Sequence, residues 1–269
     1  TITINVTVSG VNDAPVITQG AGPLAVTMSE DGSPTAWVAP TLGATDADSG
    51  TTLIWSVSST ASNGVATVSG MGAAPSTFTY APNADFNGSD SFVVQVSDGA
   101  LTDTITINVT VSGVNDAPVI TEGSGPLPVT MSEDSSPTAW VAPTLGATDA
   151  DSGTTLTWSV SSTASNGTAT VTGTAAAPST FTYVPNADFN GSDSFVVQVS
   201  DGALTDTITI NVTVSGVNDA PVITQGAGPL AVTMSEDGSP TAWVAPTLGA
   251  TDAETADSAL VWSVSSAAT

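Results

Sequence analysis

Hydrophobic and polar positions alternate with a period of two along much of this chain. Residues 104–111, TITINVTV, place isoleucine or valine at every second position, and residues 91–96, SFVVQV, alternate in the same way. Successive side chains of a β-strand point to opposite faces, so this alternation predicts half-buried strands. No stretch has the 3.6-residue period of an amphipathic helix, and we expect an all-β protein.

Five further β-rich runs, LAVTM, TAWVA, TLIWSVS, VATVSG and STFTY, lie between turn-forming sequences such as EDGSP and Asn87-Gly88. About seven short strands in about 100 residues are typical of an immunoglobulin-like Greek-key β-sandwich. The bulky candidates for its core are Trp37, Trp55, Phe78, Tyr80 and Phe92. Aromatic side chains can also form a carbohydrate platform, but in a chain so poor in them core packing is favoured.

The sequence repeats itself. The segment VNDAPVIT begins at Val11, Val114 and Val217, a constant spacing of 103 residues, and the first two copies differ at ten positions. This predicts a tandem array in which residues 1–10 are the last strand of a preceding repeat, 11–113 and 114–216 are complete repeats, and 217–269 are the first half of a third. We expect further copies of the repeat in a longer parent chain and do not expect residue 1 to be a natural start.

Composition limits the possible partners. The 269 residues include 25 acidic side chains and no lysine, arginine or histidine, so the net charge is −25 and no side-chain salt bridge can form. Nucleic acid is excluded because no side chain can neutralise its phosphates, and an anionic membrane surface would repel the chain. Self-repulsion of this size opposes a compact state, so we expect stability to depend on divalent cations or high salt.

The chain is expected to fold, because 40% of its residues are hydrophobic and its mean hydropathy is +0.24. Cysteine is absent, so no disulfide stabilises it. No apolar run approaches the roughly 18 residues of a membrane span, and we predict no membrane insertion in this segment.

The acidic residues of the first complete repeat fall almost entirely in predicted turns or at strand ends. The turns of a sandwich cluster at its two poles, and no flexible spacer separates Gly113 from Val114. Carboxylates from consecutive repeats should therefore converge. Asp31, Asp90 and Asp103 are interpreted as ordinary turn residues, because aspartate favours turns.

The order of these motifs resembles a cadherin repeat. MSEDGSPTAWVAPTLGATDADSG supplies a glutamate after the first strand and a D-x-D loop, and VSDGALTDTITINVTVSGVNDAPVI supplies an acid before the last strand and an N-D-x-P junction. More closely, YAPNADFNGSDSFVVQVSDG resembles the bacterial cadherin-like, tandem immunoglobulin-like repeats of giant secreted adhesins of the RTX type. The resemblance covers the entire chain and implies a rod of sandwiches, secreted to the bacterial cell surface, with calcium ions at the junctions between repeats.

The resemblance also implies candidate calcium ligands by position. At the first complete junction they are Glu30, Asp85, Asn115, Asp116, Asp149, Asp151 and Asp201. At the second they are Glu133, Asp188, Asn218, Asp219, Asp252 and Glu254, and at an incomplete one near the start they are Asn12, Asp13, Asp46, Asp48 and Asp98. Gly10, Gly113 and Gly216 stand where a cadherin connector has an aspartate, which removes one ligand from each junction.

Calcium suits such sites on chemical grounds as well. It takes six to eight hard oxygen ligands and is bound by carboxylates, amides and backbone carbonyls. Zinc and copper favour histidine and cysteine, both of which are absent. The cofactor predicted from the sequence is therefore Ca²⁺.

Enzymatic interpretations fit less well. Asp48 and Asp151 each begin a D-S-G sequence like that of aspartic proteases, but a full repeat separates them, so they are not expected to form a dyad. Glu30 and Asp31 are adjacent in a turn and lack the separation of a glycosidase pair. No histidine or lysine is present to activate a nucleophile. We predict that the chain is not an enzyme.

Two non-enzymatic functions remain. The first is a structural extender, the stalk of a bacterial surface adhesin or surface fibre, made rigid by calcium at its junctions. The alternative is a set of repeats that themselves bind carbohydrate or self-associate, laterally or end to end, into a fibre. Repetition favours the extender, because an extender needs many copies whereas a binding site needs one.

Overall fold

The computed structural model describes residues 1–226, 228–238, 240–255 and 259–265. Its regular elements in that part of the chain are β-strands, as expected. The chain divides into two compact units, one formed by Thr1–Asp116 with Ala150–Gly153 and the other by Ala117–Asp149 with Thr154–Thr269. Over the described residues we find no helix of the length and hydrophobicity needed to cross a bilayer.

The first complete repeat contains eight strands: β1 (Val16–Ile17), β2 (Leu24–Ser29), β3 (Ala44–Thr45), β4 (Ile54–Ser59), β5 (Gly64–Met71), β6 (Thr77–Pro82), β7 (Gly88–Ser97) and β8 (Thr102–Ser112). Six of them hydrogen-bond in the order β2-β8-β7-β4-β5-β6, and β1 pairs with β3. After the β5–β6 hairpin the chain returns so that β7 pairs antiparallel with β4. This return is the Greek-key connection of an immunoglobulin-like sandwich.

The second repeat reproduces this pairing with β9 (Val119–Ile120), β10 (Leu127–Ser132), β11 (Ala147–Thr148), β12 (Thr157–Ser162), β13 (Gly167–Thr172), β14 (Thr180–Pro185), β15 (Gly191–Ser200) and β16 (Thr205–Ser215). Its main sheet has the order β10-β16-β15-β12, and β13 and β14 form a separate hairpin. The described part of the third repeat contains β17 (Val222–Ile223) paired with β18 (Ala250–Thr251).

The core of each repeat is made by the inward-facing positions of its two longest strands. In the first repeat β7 and β8 supply Phe92, Val94, Val96, Ile105, Ile107, Val109 and Val111, none more than 2% exposed. Burial of each such side chain contributes about 1.5–3 kcal/mol. The period-two alternation of both strands therefore predicted their buried face correctly.

The aromatic residues expected in the core are found there. Trp55, Tyr80 and Phe92 are buried, and Trp37 and Phe78 pack against them while half-buried. The rings of Tyr80 and Phe92 stack with their centroids 5.8 Å apart. The second repeat repeats this arrangement.

One predicted strand is absent, and the shortest strands were not predicted. Residues 35–39, TAWVA, are not a strand, because Pro34 and Pro40 flank them and proline has no backbone N–H for a sheet ladder. Trp37 is instead held by its indole N–H, which donates to the carbonyl of Phe78 at 3.4 Å. Strands β1 and β3 have two residues each, too few for a periodic signal.

Candidate metal centre

Two groups of three carboxylates stand out among the described residues. The first cluster is Glu30, Asp116 and Asp151, and the second cluster is Glu133, Asp219 and Glu254. Within each cluster, one oxygen from every carboxylate lies within 4.8 Å of the others. The first cluster belongs entirely to the first compact unit and the second cluster to the second unit.

The parallel pairing of β2 with β8 positions the glutamate of the first cluster. Ser29 and Ser112 are register partners at the ends of these strands. The next residue, Glu30, donates its backbone N–H to the carbonyl of Ser112 at 3.1 Å, and its Oε1 accepts the N–H of Val114 at 2.6 Å. The glutamate is thereby fixed beside the connector that carries Asp116.

In the second cluster, β10 and β16 place Glu133 in the same way. Its N–H donates to the carbonyl of Ser215 at 3.1 Å, and its Oε1 accepts the N–H of Val217 at 2.5 Å. The same sequence pattern therefore builds the same glutamate position twice.

The acid loop of each repeat is tied to its NDAP segment by one recurring hydrogen bond. The N–H of Asp13 donates to Asp48 Oδ2 at 2.8 Å, that of Asp116 to Asp151 Oδ2 at 2.8 Å, and that of Asp219 to Glu254 Oε2 at 2.9 Å. In each pair the second acid ends the acid-x-acid sequence. The aspartates of the two D-S-G sequences, Asp48 and Asp151, thus anchor the acid loop to the NDAP segment.

Several carboxylate oxygens in these loops are buried without a hydrogen-bond partner. They include Oε2 of Glu30, Oδ2 of Asp46 and Oε2 of Glu133, and the side chain of Glu133 is only 8% exposed. A buried charged oxygen without a partner is costly, and this chain has no cationic side chain to offer. These oxygens are therefore candidates for binding a cation or a proton.

The electrostatic environment of both clusters is strongly negative. Burial, together with the nearby charges of Asp31, Asp85, Asp151 and Glu30, raises the pKa of Asp116 above its ordinary value. The pKa of Asp219 is raised in the same way, by burial and by the charges of Asp134, Glu254, Asp188 and Glu133. Like charges disfavour ionisation, and a bound cation reverses that effect.

Sequence reasoning missed one member of each environment. Asp31 was interpreted as an ordinary turn residue, yet it is the foremost of the charges acting on Asp116, and Asp134 has the same role for Asp219. The available signal was its position directly after the candidate ligand Glu30 in the same turn.

Asp85 and Asp188, predicted as ligands, adopt the left-handed conformation with φ of 57°. This region is uncommon for residues other than glycine, although aspartate tolerates it. Asp188 lines one cavity together with Asp219 and Asp252. Both residues are therefore near the clusters, and their role as ligands stays a prediction.

The asparagines of the connectors orient their amide nitrogens towards the backbone. The side-chain nitrogens of Asn115 and Asn218 donate to the carbonyls of Asp116 and Asp219 at 3.1 and 2.9 Å. Asp149 and Asp201, also predicted as ligands, are half-buried and belong to the second compact unit. Neither is part of the two carboxylate clusters.

The candidate residues near the start of the chain also come together. Asn12 donates to Asp98 Oδ2 at 2.7 Å, and Asp46 Oδ1 accepts the N–H of Asp48 at 2.7 Å. Hydrogen bonds from the backbone N–H groups of Leu101 and Ala100, and then from Asn12, hold the pKa of Asp98 below its usual value. These contacts link the connector, the acid loop and the β7–β8 turn of one repeat.

Two acids interpreted as turn residues are strand residues with a structural role. Asp90, in β7, is buried and accepts hydrogen bonds from the Tyr80 hydroxyl at 2.9 Å and from the N–H groups of Ser62 and Asn63. Asp103, in β8, accepts the N–H of Ile17 at 2.8 Å and so joins β1 to β8. Asp193 and Asp206 make the same contacts in the second repeat.

A signal for both residues was present in the sequence. Asp90 is in phase with Phe92 and Asp103 is in phase with Ile105, so the period-two alternation places each carboxylate on the core face of its strand. An acid on a core face needs hydrogen-bond donors.

Comparison with known families and structures agrees with this architecture. A family model described as bacterial Ig domain matches residues 12–110 and again residues 115–213. The chain belongs to the bacterial Ig domain family. No curated protein matches it.

Several solved structures similar to these bacterial Ig domains are cadherin ectodomains. Mouse cadherin-23 EC22-24 is 15% identical, covers 90% of this chain and 78% of its own length, and has a TM-score of 0.50. Protocadherin gamma B2 domains 1-5 are 22% identical over 78% of this chain, with a TM-score of 0.46. An endo-fucoidan hydrolase of glycoside hydrolase family 107 is 21% identical over 79% of this chain, with a TM-score of 0.32.

The likeness to cadherin-23 supports the cadherin-like fold of tandem domains and concerns the fold alone. The chain spans 41% of the protocadherin structure and 30% of the hydrolase structure. The ligands, partners and location of the bacterial Ig domains do not follow from this likeness.

Proposed function

We propose that this chain is a segment of an extracellular stalk of a bacterial surface adhesin or fibre, in which calcium ions stabilise the connections between consecutive repeats. Each 103-residue repeat is one structural unit of the stalk. The carboxylate clusters, together with the neighbouring connector and loop acids predicted from the sequence, are the calcium sites.

The observation that carries this proposal is the state of Glu133. Its side chain is 8% exposed, and its Oε2 is buried with no hydrogen-bond partner, beside Asp219 and Glu254. A carboxylate in this situation either becomes protonated or binds a cation. Because the chain has no lysine, arginine or histidine, no side chain can supply this positive charge, and a metal ion from solution would have to do so.

The geometry of the clusters fits calcium. Two oxygens bound to one calcium ion at about 2.3–2.6 Å are at most about 5 Å apart. The 4.8 Å limit that encloses each cluster satisfies this condition. The clusters hold only carboxylates, which are hard oxygen ligands, and calcium accepts the six to eight oxygens that several neighbouring acids and carbonyls can supply.

The placement of the clusters favours a connecting role. Each cluster joins the end of a β2-type strand, the connector that follows β8 or β16, and the acid loop of the next repeat. An ion bound there would hold three segments that are far apart in sequence. This supports an extender whose stiffness depends on calcium, whereas lateral or end-to-end self-association and carbohydrate binding stay predictions.

The test uses the full chain in calcium, in magnesium and after removal of metal, with small-angle scattering and thermal melting as readouts. Calcium should raise the melting temperature and lengthen the particle, and magnesium should do so less, because it keeps its water ligands and demands octahedral geometry. The double variant Glu30→Gln/Glu133→Gln should lose most of the calcium response.

The matched control is Glu122→Gln, which also removes negative charge and creates the residue that the first repeat has at the equivalent Gln19. Both side chains accept the same kind of hydrogen bond, from the N–H of Gly43 or Gly146 at 3.0 Å. This variant should keep the full calcium response. Scattering and melting curves that are identical with and without calcium would overturn the proposal.

A further inference from the structure

We infer that each complete repeat has a further binding site, a shallow groove on the outer face of its main sheet that takes sugar units of an uncharged polysaccharide. In the first repeat the groove lies on β7 and β8, between β2 and the loop that follows β4, and the second repeat has the equivalent groove. The groove shares no residue with the two carboxylate clusters, and the inference does not depend on calcium binding.

The same cavity recurs in both repeats. Its volume is about 630 Å³ in the first repeat and about 610 Å³ in the second. Both values lie within the range of about 300–1,000 Å³ that is usual for small-ligand sites. The second repeat has the same polar lining residues 103 positions after those of the first, which are Ser62, Asn63, Ser89, Ser91, Asn108 and Thr110.

Asp90 holds the loop wall of the groove in place. Its carboxylate accepts the N–H of Ser62 at 3.1 Å and that of Asn63 at 2.9 Å. The equivalent contacts of Asp193 in the second repeat have the same lengths. The groove is thus formed before a ligand arrives, which reduces the ordering cost of binding.

The charge of the groove selects an uncharged ligand. Asp90 is the one acid among its lining residues, and both of its oxygens are occupied by hydrogen-bond donors. The outward-facing positions of β7 and β8 hold serine, threonine, asparagine, glutamine and one valine, and those of β15 and β16 hold the same residues. An anionic ligand is repelled by the net charge of −25, and a cationic one gains more at the acidic turns.

The lining side chains match the hydroxyl groups of a sugar. Hydroxyl and amide side chains both donate and accept hydrogen bonds, as sugar hydroxyls do. Within the described part of the chain, the side chains of Ser89, Ser91, Asn108 and Thr110 are not hydrogen-bonded to other protein groups, so a ligand can use all four.

A second copy of this chain fits the groove less well than a sugar. Two chains of net charge −25 repel each other. The outward-facing positions of β7 and β8 offer a protein partner a single large apolar side chain, that of Val93, whereas the centre of a protein interface is rich in apolar and aromatic side chains.

The experiment records NMR spectra of the ¹⁵N-labelled full chain, with and without calcium, in the presence of a soluble uncharged glucan, mannan or galactan. At least one of the three should shift the amides of Ser89, Asn108 and Thr110 and their equivalents in the second repeat. Asn108→Ala should weaken binding to the first groove about 3- to 10-fold, as expected for one lost hydrogen bond, and leave the second groove unchanged. The matched control is Thr104→Ala, which is exposed on the same face of β8 but outside the groove and should change neither.

The outcomes separate this inference from the proposed function. Groove shifts that appear both with and without calcium would support the site even if calcium left scattering and melting unaltered. No response to any of the three polysaccharides, or binding that Asn108→Ala leaves intact, would refute the groove as a sugar site. An equally strong response to polygalacturonate would refute its selectivity for uncharged ligands. Shifts of the same amides on raising the protein concentration without any glycan would assign the face to a second copy of the chain instead.

Discussion

Asp90 and Glu133 are equally buried carboxylates, each 8% exposed, in a chain that has no cationic side chain. Asp90 is surrounded by donors: the Tyr80 hydroxyl and the N–H groups of Ser62, Asn63 and Ser91. Glu133 accepts the N–H of Val217 through Oε1, while its Oε2 has no hydrogen-bond partner. The first carboxylate is fully hydrogen-bonded within its own repeat, whereas the second keeps one oxygen without a hydrogen-bond partner.

The pKa of Asp90 reflects this difference. Burial alone would raise it, but the hydrogen bonds from Asn63, Ser62, Tyr80 and Ser91 outweigh burial and hold the pKa below its ordinary value. The equivalent Asp193 behaves in the same way. Hydrogen bonding to the charged form thus replaces an ion pair at these positions. The repeats thus contain two classes of buried acid: those completed by hydrogen bonds from their own repeat, and those with an unpartnered oxygen, which under the proposed function form the metal-dependent class.

The largest effect is expected from Asp90→Ala. The variant leaves the Tyr80 hydroxyl and the N–H groups of Ser62 and Asn63 without an acceptor, at a cost of about 3–5 kcal/mol. The loss should be the same with and without calcium. Hydrogen exchange of β7 and β8 measures it, and the unchanged second repeat serves as the internal control. A destabilisation that calcium corrected would place Asp90 in the metal-dependent class and abolish the distinction.

The sequence predicts the strands and the position of the glutamates better than it predicts which buried acids are completed by hydrogen bonds. Alternation predicted the buried faces of β7 and β8, and motif order predicted that Glu30 and Asp116 come together. The turn preference of aspartate predicts a turn for Asp90, whereas its phase with Phe92 indicates the core face of β7. Whether Tyr80 reaches it depends on the stacking of β6 against β7, which is a tertiary contact that no local pattern encodes.

The third-repeat loop marks another limit of sequence reasoning. The change from Asp151 to Glu254 was visible, but its consequence depended on whether the longer side chain regains the hydrogen bond to the connector. The structure has that bond, between Asp219 and Glu254 at 2.9 Å. Whether the side chain of Glu254 can reach the backbone of Asp219 depends on where the fold places the two backbones. The number of residues between them does not determine this.

A smaller effect should appear in the pH dependence of stability, with opposite signs for the two classes. In metal-free protein, Asp116 and Asp219 have raised pKa values, so stability should rise as the pH falls towards them from neutrality. Asp90 and Asp193 have lowered pKa values, so the stability they provide is present above the unfolded value of about 4 and is lost as the pH falls through the folded value.

Together these shifts predict a maximum in melting temperature at mildly acidic pH for the metal-free chain. Bound calcium keeps the cluster carboxylates ionised, so the rise on the acidic side of neutrality should vanish in its presence. Melting temperatures measured at successive pH values, with and without calcium, give both curves. The double variant Asp90→Asn/Asp193→Asn should show a shallower fall in melting temperature below about pH 4 and should keep the rise between neutral and mildly acidic pH. A melting temperature that falls monotonically from pH 7 in metal-free protein would contradict the raised pKa values of Asp116 and Asp219 and their assignment to the metal-dependent class.

The smallest effect, and the finest test of where the metal-dependent class ends, is expected from Asp31→Asn. Asp31 is exposed and is the foremost charge acting on Asp116, although it lies outside the first cluster itself. Its removal should lower the pKa of Asp116 and stabilise the metal-free chain by less than about 0.5 kcal/mol, as is usual for exposed charges. Calcium affinity at the first cluster should fall only slightly, because long-range attraction is lost while the ligands stay. The NMR shift of the Asp116 backbone amide, followed against pH and against calcium, measures the change in pKa and the change in affinity. Asp134→Asn is the matched variant for the second cluster. A loss of affinity as large as that of Glu30→Gln would make Asp31 a direct ligand, and the boundary between the two classes would then include the whole turn that follows β2.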